Sequence, residues 1–282
     1  MPELPEVETV RRGLEQHTLG CEWIRIEIVR ARVVASPPDP ELFSLALRGT
    51  RVQAWQRRGK YLLASLAHAD GSAAGHWGVH LRMTGQFLWL DVPTAVCRHT
   101  RARFWCDDGQ ELRFVDTRSF GQMWWVPAGL SPETVIGGLT RLGPEPFAID
   151  FDVAYLQRSL EHSKRSIKTA LLDQSLVAGV GNIYADESLF AAGIRPQTPA
   201  NQLDPLRLGR LREALLEVLE SSIRAGGTTF SDFRHVSGLN GTYGGQSWVY
   251  RRSGQPCKRC GETIRVDRLG GRSSHWCPRC QS

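Results

Sequence analysis

Apolar residues at Val7, Val10 and Leu14 recur at helical spacing, Pro5 suits a first helical turn, and Glu6 and Glu8 suit the positive end of a helix dipole. A short amphipathic helix is therefore predicted at the start of the chain. Beyond it the period drops to two. Ile24, Ile26 and Ile28 alternate with polar residues, positions 52–66 are interrupted by Arg57-Arg58-Gly59-Lys60, and positions 104–115 by Asp107-Asp108-Gly109. These read as strands and hairpins, so residues 1–130 are expected to form a β-sandwich or flattened barrel with one helix packed on it.

Residues 131–150 contain Pro132, Pro144, Pro146 and three glycines, which disfavour a continuous helix or central strand and mark a linker. From there the apolar period becomes 3.6, over 153–160, 167–172, 183–190 and 206–223. A mainly helical domain is predicted for 151–247, with a Gly-rich loop over 226–245, and a separate cysteine-rich element for 248–282. The fold class expected is α+β and multidomain.

Composition narrows the reading. With 282 residues, 41% of them hydrophobic, the chain can build real cores, which argues against disorder. There is no run of about 18 apolar residues, and the first residues carry Glu3, Glu6 and Glu8 instead of a basic, apolar leader. A soluble, cytoplasmic protein is expected. The excess of 35 Lys and Arg over 29 acids, a net +6, favours a polyanionic partner without specifying one. Of seven cysteines, Cys21, Cys97 and Cys106 are scattered, whereas Cys257, Cys260, Cys277 and Cys280 cluster. An odd total without a leader predicts reduced thiols, and makes the cluster a set of metal ligands.

Two Cys-x-x-Cys knuckles separated by 16 residues can supply the four thiolates of one tetrahedral, structural Zn2+, with His275 as a less favoured substitute. Between the knuckles, Leu269-Gly270-Gly271 should turn a hairpin that presents Arg265, Arg268 and Arg272; for Arg265 and Arg268 plain solvation is the simpler reading. Val180-Gly181-Asn182-Ile183-Tyr184 opens a helix whose free amides can bind phosphate, although alone it reads as a tight turn with Asn182 as N-cap. Met1-Pro2-Glu3-Leu4-Pro5-Glu6 alone reads as an acidic helix start. A small second residue also permits removal of Met1, and the exposed proline amine, with a pKa of about 8, could then act as a nucleophile.

Taken together, Pro2-Glu3-Leu4-Pro5-Glu6-Val7-Glu8-Thr9, Gly181-Asn182-Ile183-Tyr184 and the four cysteines resemble the formamidopyrimidine-DNA glycosylase family from end to end. The resemblance implies an N-terminal catalytic β-sandwich, a helix-two-turn-helix domain and a zinc finger, with damaged double-stranded DNA bound across the cleft between domains. It implies excision of oxidised purines followed by strand cleavage. Pro2 would be the Schiff-base nucleophile, Glu3 the proton donor, Glu6 a supporting carboxylate, Lys60 the donor for β-elimination and Arg272 that for δ-elimination. His99, Arg118, Lys164 and Asn182 match the family's DNA-binding positions. Met83, in His80-Leu81-Arg82-Met83-Thr84-Gly85, and Arg118 with Phe120, in Asp116-Thr117-Arg118-Ser119-Phe120-Gly121, resemble the trio that fills the gap left by an everted nucleotide; His80 joins the expected DNA contacts. Lys168 and the 226–245 loop fall where the family closes over the damaged base. A monomer is expected.

Two rivals remain. The sister family that removes oxidised pyrimidines, endonuclease VIII, shares the proline and the domain plan, but typically has glycine where Leu4 stands here and lacks this trio. A zinc-finger protein that only binds DNA is disfavoured by the presence of Pro2, Glu3, Lys60 and Arg272 together.

Overall fold

The computed structural model describes residues 1–228, Val236 and 243–282. They form two compact units: one of Met1–Thr140 with the segment beginning at Gly226, the other of Arg141–Ala225 and the remainder of the chain to Ser282.

In the first unit, α1 (Leu4–Thr18) precedes β1 (Trp23–Ile28), β2 (Val34–Ser36), α2 (Pro40–Leu47), β3 (Arg51–Arg58), β4 (Tyr61–Ala67), β5 (Ala73–His80), β6 (Gly85–Leu90), β7 (Thr100–Cys106), β8 (Glu111–Asp116), β9 (Gln122–Val126) and the short α3 (Pro132–Val135). The strands make a five-stranded sheet, β2-β9-β5-β4-β3, and a four-stranded one, β1-β7-β8-β6. The two sheets face each other through aromatic rings. Trp77 of β5 lies 4.5 Å from Phe104 of β7, 5.8 Å from Trp23 of β1 and 5.9 Å from Phe87 of β6. Val7, Val10 and Leu14 of α1 enter the same core, so the helix is held by its apolar stripe. Truncating Trp77 at this junction would cost roughly 3–5 kcal/mol.

Three local features differ from the sequence reading. Ile24 is 44% exposed, because the pairing of β1 with β7 shifts register between Trp23 and Arg25 and a bulge turns that side chain outward. Cys21 and Cys106 are joined in a disulfide, which corrects the expectation of reduced thiols for this pair. They are 85 residues apart in sequence, yet Cys106 pairs with Trp23 across the sheet, which brings the two Cα atoms to 5.5 Å. Finally, α2 was not foreseen, although Asp39 accepts from the Glu41 amide and Pro40 occupies the first turn.

The second unit contains α4 (Val153–Leu160), α5 (Ile167–Leu171), α6 (Asn182–Ala191), α7 (Pro205–Arg224) and a hairpin of β10 (Arg265–Leu269) and β11 (Arg272–Trp276). Helix α7 starts where the Asp204 carboxylate accepts from the Arg207 amide, and it buries Leu208, Leu211, Leu215, Val218 and Leu219. Gly270 and Gly271 both take positive φ, +53° and +78°, which is what a two-residue hairpin turn of the right twist demands. Among the described residues no helix is long and apolar enough to cross a membrane.

The segment from Gly226 belongs to the first unit because its described residues bond there: Thr228 N donates to Glu6 Oε1, and Val236 O accepts from Trp89 N. Of the expected 226–245 loop, positions 229–235 and 237–242 lie outside the described residues.

Candidate functional site

The chain start is pinned by one carboxylate. Glu6 Oε2 accepts from the Glu3 amide at 2.8 Å and Glu6 Oε1 from the Thr228 amide at 2.8 Å. Glu3 and Glu6 form a reciprocal capping box at the positive end of α1. Pro2, Glu3 and Glu6 are all buried, whereas Met1 is 43% exposed. Gly227 crosses so close to Glu6 that an added Cβ would stand 3.0 Å from Oε1, and its φ of +79° favours glycine.

Lys60 is buried in the two-residue turn between β3 and β4, where Gly59 takes φ +56°. That turn is tied to α1: Arg57 reaches Glu8 at 3.4 Å and donates to the Gly59 carbonyl at 3.1 Å. Burial alone would raise the Glu8 carboxyl, but Arg11, Arg12 and Arg57 outweigh it and hold the group below its ordinary range. One helix thus anchors both Pro2 and the Lys60 turn within the first unit.

Met83 and the Arg118–Phe120 segment occupy two neighbouring turns, β5–β6 and β8–β9. The Asp116 carboxylate, fully buried, accepts from Thr84 Oγ1, from the Arg118 amide at 3.1 Å and from the Gly121 amide at 2.7 Å. Phe120 is 40% exposed and the Arg118 guanidinium lies 4.8 Å from its ring centroid. An exposed aromatic braced by a guanidinium is unlike a core residue, which is how Phe120 would read by itself. His99 lies beside them, its carbonyl accepting from the Asp116 amide at 2.9 Å. His80, expected among the DNA contacts, is buried in the turn that carries Met83. Burial pushes its pKa down to about 3, the positive charges of Arg82 and Lys60 adding to the effect, and its Nδ1 accepts from the Arg82 amide at 2.9 Å. It stacks edge-on against Tyr61 and supports the turn as a neutral ring.

In the second unit Lys164 is exposed, as a phosphate contact requires, but Lys168 is not. Its side chain is 0% exposed, with Nζ 2.6 Å from Asp186 Oδ1 and donating to the Ser273 carbonyl at 2.5 Å. The expectation of a DNA contact at Lys168 gives way to a buried ion pair that joins α5, α6 and β11. The partner, Asp186, also accepts from the His275 amide at 2.9 Å and meets His275 Nδ1 at 3.0 Å. That use of the ring removes His275 from the metal-ligand candidates. Asn182 is the first residue of α6, not its cap; Gly181 holds the cap position. Its Nδ2 lies 3.4 Å from Ser273 Oγ, which brings the helix start together with the hairpin arm carrying exposed Arg272.

Sequence reasoning missed Asp186 and Glu187. Glu187 gathers the amides of Trp248, Val249 and Tyr250 at 2.8, 3.0 and 2.8 Å, and burial raises its pKa despite those donors. Adjacent carboxylates on a helix ordinarily read as solvated, and nothing in their spacing signals burial.

The ligand sulfurs of Cys257, Cys260, Cys277 and Cys280 all lie within 4.8 Å of one another, with Cys260 to Cys277 at 3.5 Å and Cys257 to Cys280 at 3.9 Å. Zinc–sulfur bonds of about 2.3 Å in a tetrahedron place sulfurs roughly 3.8 Å apart, so four thiolates here fit one structural Zn2+ with no open position. Phe190 of α6 packs with Cys257, Ile264 and Cys277, so the metal site is built onto the helical unit.

Known proteins share this architecture. Three family models match in order: the formamidopyrimidine-DNA glycosylase N-terminal domain over residues 1–123, the H2TH domain of the same enzymes over 142–234, and the zinc finger found in FPG and IleRS over 254–282. A formamidopyrimidine-DNA glycosylase of Parasynechococcus marenigrum is 61% identical over 281 residues, covering 100% of both chains, and one of Prochlorococcus marinus is 59% identical over 290 residues with the same coverage. Among solved structures, Lactococcus lactis Fpg in complex with DNA containing an abasic site superposes with TM-score 0.88 at 33% identity, covering 99% of each chain. MutM in complex with DNA containing carbocyclic 8-oxo-G does so with TM-score 0.88 at 35% identity, covering 100% of each. With its N-terminal, H2TH and zinc-finger regions all matched in sequence order, the chain belongs to the formamidopyrimidine-DNA glycosylase family.

Proposed function

We propose that the protein is a bifunctional DNA glycosylase and abasic-site lyase that excises oxidised purines, 8-oxoguanine and formamidopyrimidines, from duplex DNA. The observation that carries the reading is the Glu6 carboxylate bonded to the amides of Glu3 and Thr228, which fixes the backbone at Pro2. Once Met1 is removed, the Pro2 nitrogen is a secondary amine with a free lone pair. It attacks C1′ of the damaged nucleotide as the bond from C1′ to the base breaks, and the base departs with a proton. The resulting iminium draws electrons from C2′, so loss of the C2′ proton expels the 3′ phosphate; a second elimination releases the phosphate on the 5′ side. Glu3 transfers protons at the sugar, Lys60 assists the first elimination and Arg272 the second.

Phosphates would be held by Lys164, His99, Arg118 and the Asn182 helix start, and Met83, Arg118 and Phe120 would fill the space left by the extruded nucleotide. The trio and the Leu4 signature favour purine lesions over the oxidised pyrimidines of the sister family. Such a chain acts as a monomer in the cytoplasm, where bacterial DNA lies. The test is incubation with duplexes carrying 8-oxoguanine opposite cytosine or oxidised thymine. The reading predicts rapid cutting of the first; retardation without cutting, or preference for oxidised thymine, would overturn it.

A further inference from the structure

The turns expected to meet DNA share a single buried carboxylate. Resting on the proposed function, we infer that Asp116 is a positioning residue that sets the Met83, His99 and Arg118–Phe120 turns in register for extraction of the damaged base. It closes β8 and pairs with Gly85, the first residue of β6. Its Oδ1 accepts from the Thr84 hydroxyl, next to Met83, and from the Arg118 amide, while Oδ2 accepts from the Gly121 amide, next to Phe120. The Thr84 hydroxyl itself accepts from the Arg118 amide at 3.1 Å, which closes the link between the turns. On its backbone side, the Asp116 amide holds the His99 carbonyl.

Both turns need such fixing. Arg82 and Ser119 take φ of +54° and +55°, a left-handed conformation that non-glycine residues keep only where the surroundings impose it. One of them precedes Met83 and the other separates Arg118 from Phe120. Both turns also rest on one ring: a Cβ added at Gly85 or Gly121 would stand 2.7 or 2.6 Å from Phe114 Cζ. Only a carboxylate offers two acceptor oxygens to three donors; an amide would turn an N–H toward one of them. Filling an emptied base stack requires wedge and guanidinium to arrive together, and misplacing such a group by about 1 Å can cost on the order of a hundredfold in rate.

The test uses the full-length, zinc-loaded protein and two duplexes, one with 8-oxoguanine opposite cytosine and one with a pre-formed abasic site, each in single turnover. Asp116→Asn should slow excision roughly ten- to a hundredfold, the factor set by one or two lost charge-assisted hydrogen bonds, and slow cutting at the abasic site much less. Thr84→Val should act in the same direction, and Thr84→Ser should restore most of what it loses. A 2-aminopurine beside the lesion should show delayed unstacking in the impaired variants. Equal losses on both duplexes, or wild-type excision in Asp116→Asn, would overturn the role; if Asp116→Asn does not fold, Thr84→Val is judged by the same two outcomes. Arg118→Ala and Phe120→Ala separate the role of the trio from that of Asp116. If they too lose both reactions equally, the trio itself is misassigned; if they discriminate while the Asp116 and Thr84 variants do not, only the positioning role fails.

Discussion

Replacing Lys168 with methionine keeps the length of the side chain and removes its charge. In the structure Lys168 and Asp186 are both 0% exposed and 2.6 Å apart, and the Lys168 ammonium also holds the Ser273 carbonyl. Removing one partner of a buried ion pair leaves an uncompensated charge and costs about 3–5 kcal/mol. For folded units of this size, about 2–4 °C of melting temperature per kcal/mol translates that into a fall of roughly 6–20 °C. The assay is thermal unfolding followed by circular dichroism, with DNA affinity measured at several salt concentrations well below the transition. Adding Asp186→Asn should cost less than the sum of the two single changes, because the stranded carboxylate is then gone. A Lys168→Met protein that melts within about 2 °C of the parent while its salt dependence of DNA binding drops by about one ion would contradict the buried ion pair, since that is the signature of a lost phosphate contact.

Glu8→Gln should lower stability by about 1 kcal/mol at neutral pH, by breaking the Arg11, Arg12 and Arg57 network. Because the Glu8 pKa is lowered in the fold, the stabilisation is present above its ordinary value of 4.5 and lost as pH falls through the folded value, so denaturation curves of variant and parent should converge in acid. The His80 imidazole, with a pKa near 3, should show no NMR titration from about pH 5 to about pH 8, and a transition near the ordinary 6.5 would contradict its burial. Elemental analysis should find about one zinc per chain, lost in Cys277→Ser together with DNA binding but retained in His275→Asn, because His275 bonds Asp186 and not the metal.

Much of the architecture is legible in the sequence because it is local. The apolar spacing of Leu208, Leu211, Leu215, Val218 and Leu219 specifies the buried stripe of α7, and Gly59-Lys60 and Gly270-Gly271 carry the turn chemistry of their hairpins. The four zinc ligands are equally readable, since a metal site of two short knuckles is written in spacing alone. What escaped depends on pairings remote in the chain. The Cys21–Cys106 bond needs the β1–β7 register, and the same register puts Ile24 on a bulge where alternation expected core. Lys168 and Asp186 look like surface charges until α5, α6 and β11 close around them. The α2 helix was within reach, for Asp39-Pro40 followed by apolar Leu42, Phe43 and Leu47 is a capped helix start; its shortness hid it among strands. The resemblance, not periodicity, singled out Met83, Phe120 and Lys60, whose residue types are ordinary in turns and cores.

Attack of the Pro2 nitrogen on the sugar can be caught by borohydride reduction during reaction with an 8-oxoguanine duplex, followed by mass spectrometry of the cross-linked peptide. Mature protein should begin at Pro2, with the reduced sugar on that nitrogen and no cross-link in protein that retains Met1, where the nitrogen is an amide. A sugar found on Lys60 or another lysine, or full-rate cutting by protein that keeps Met1, would contradict it.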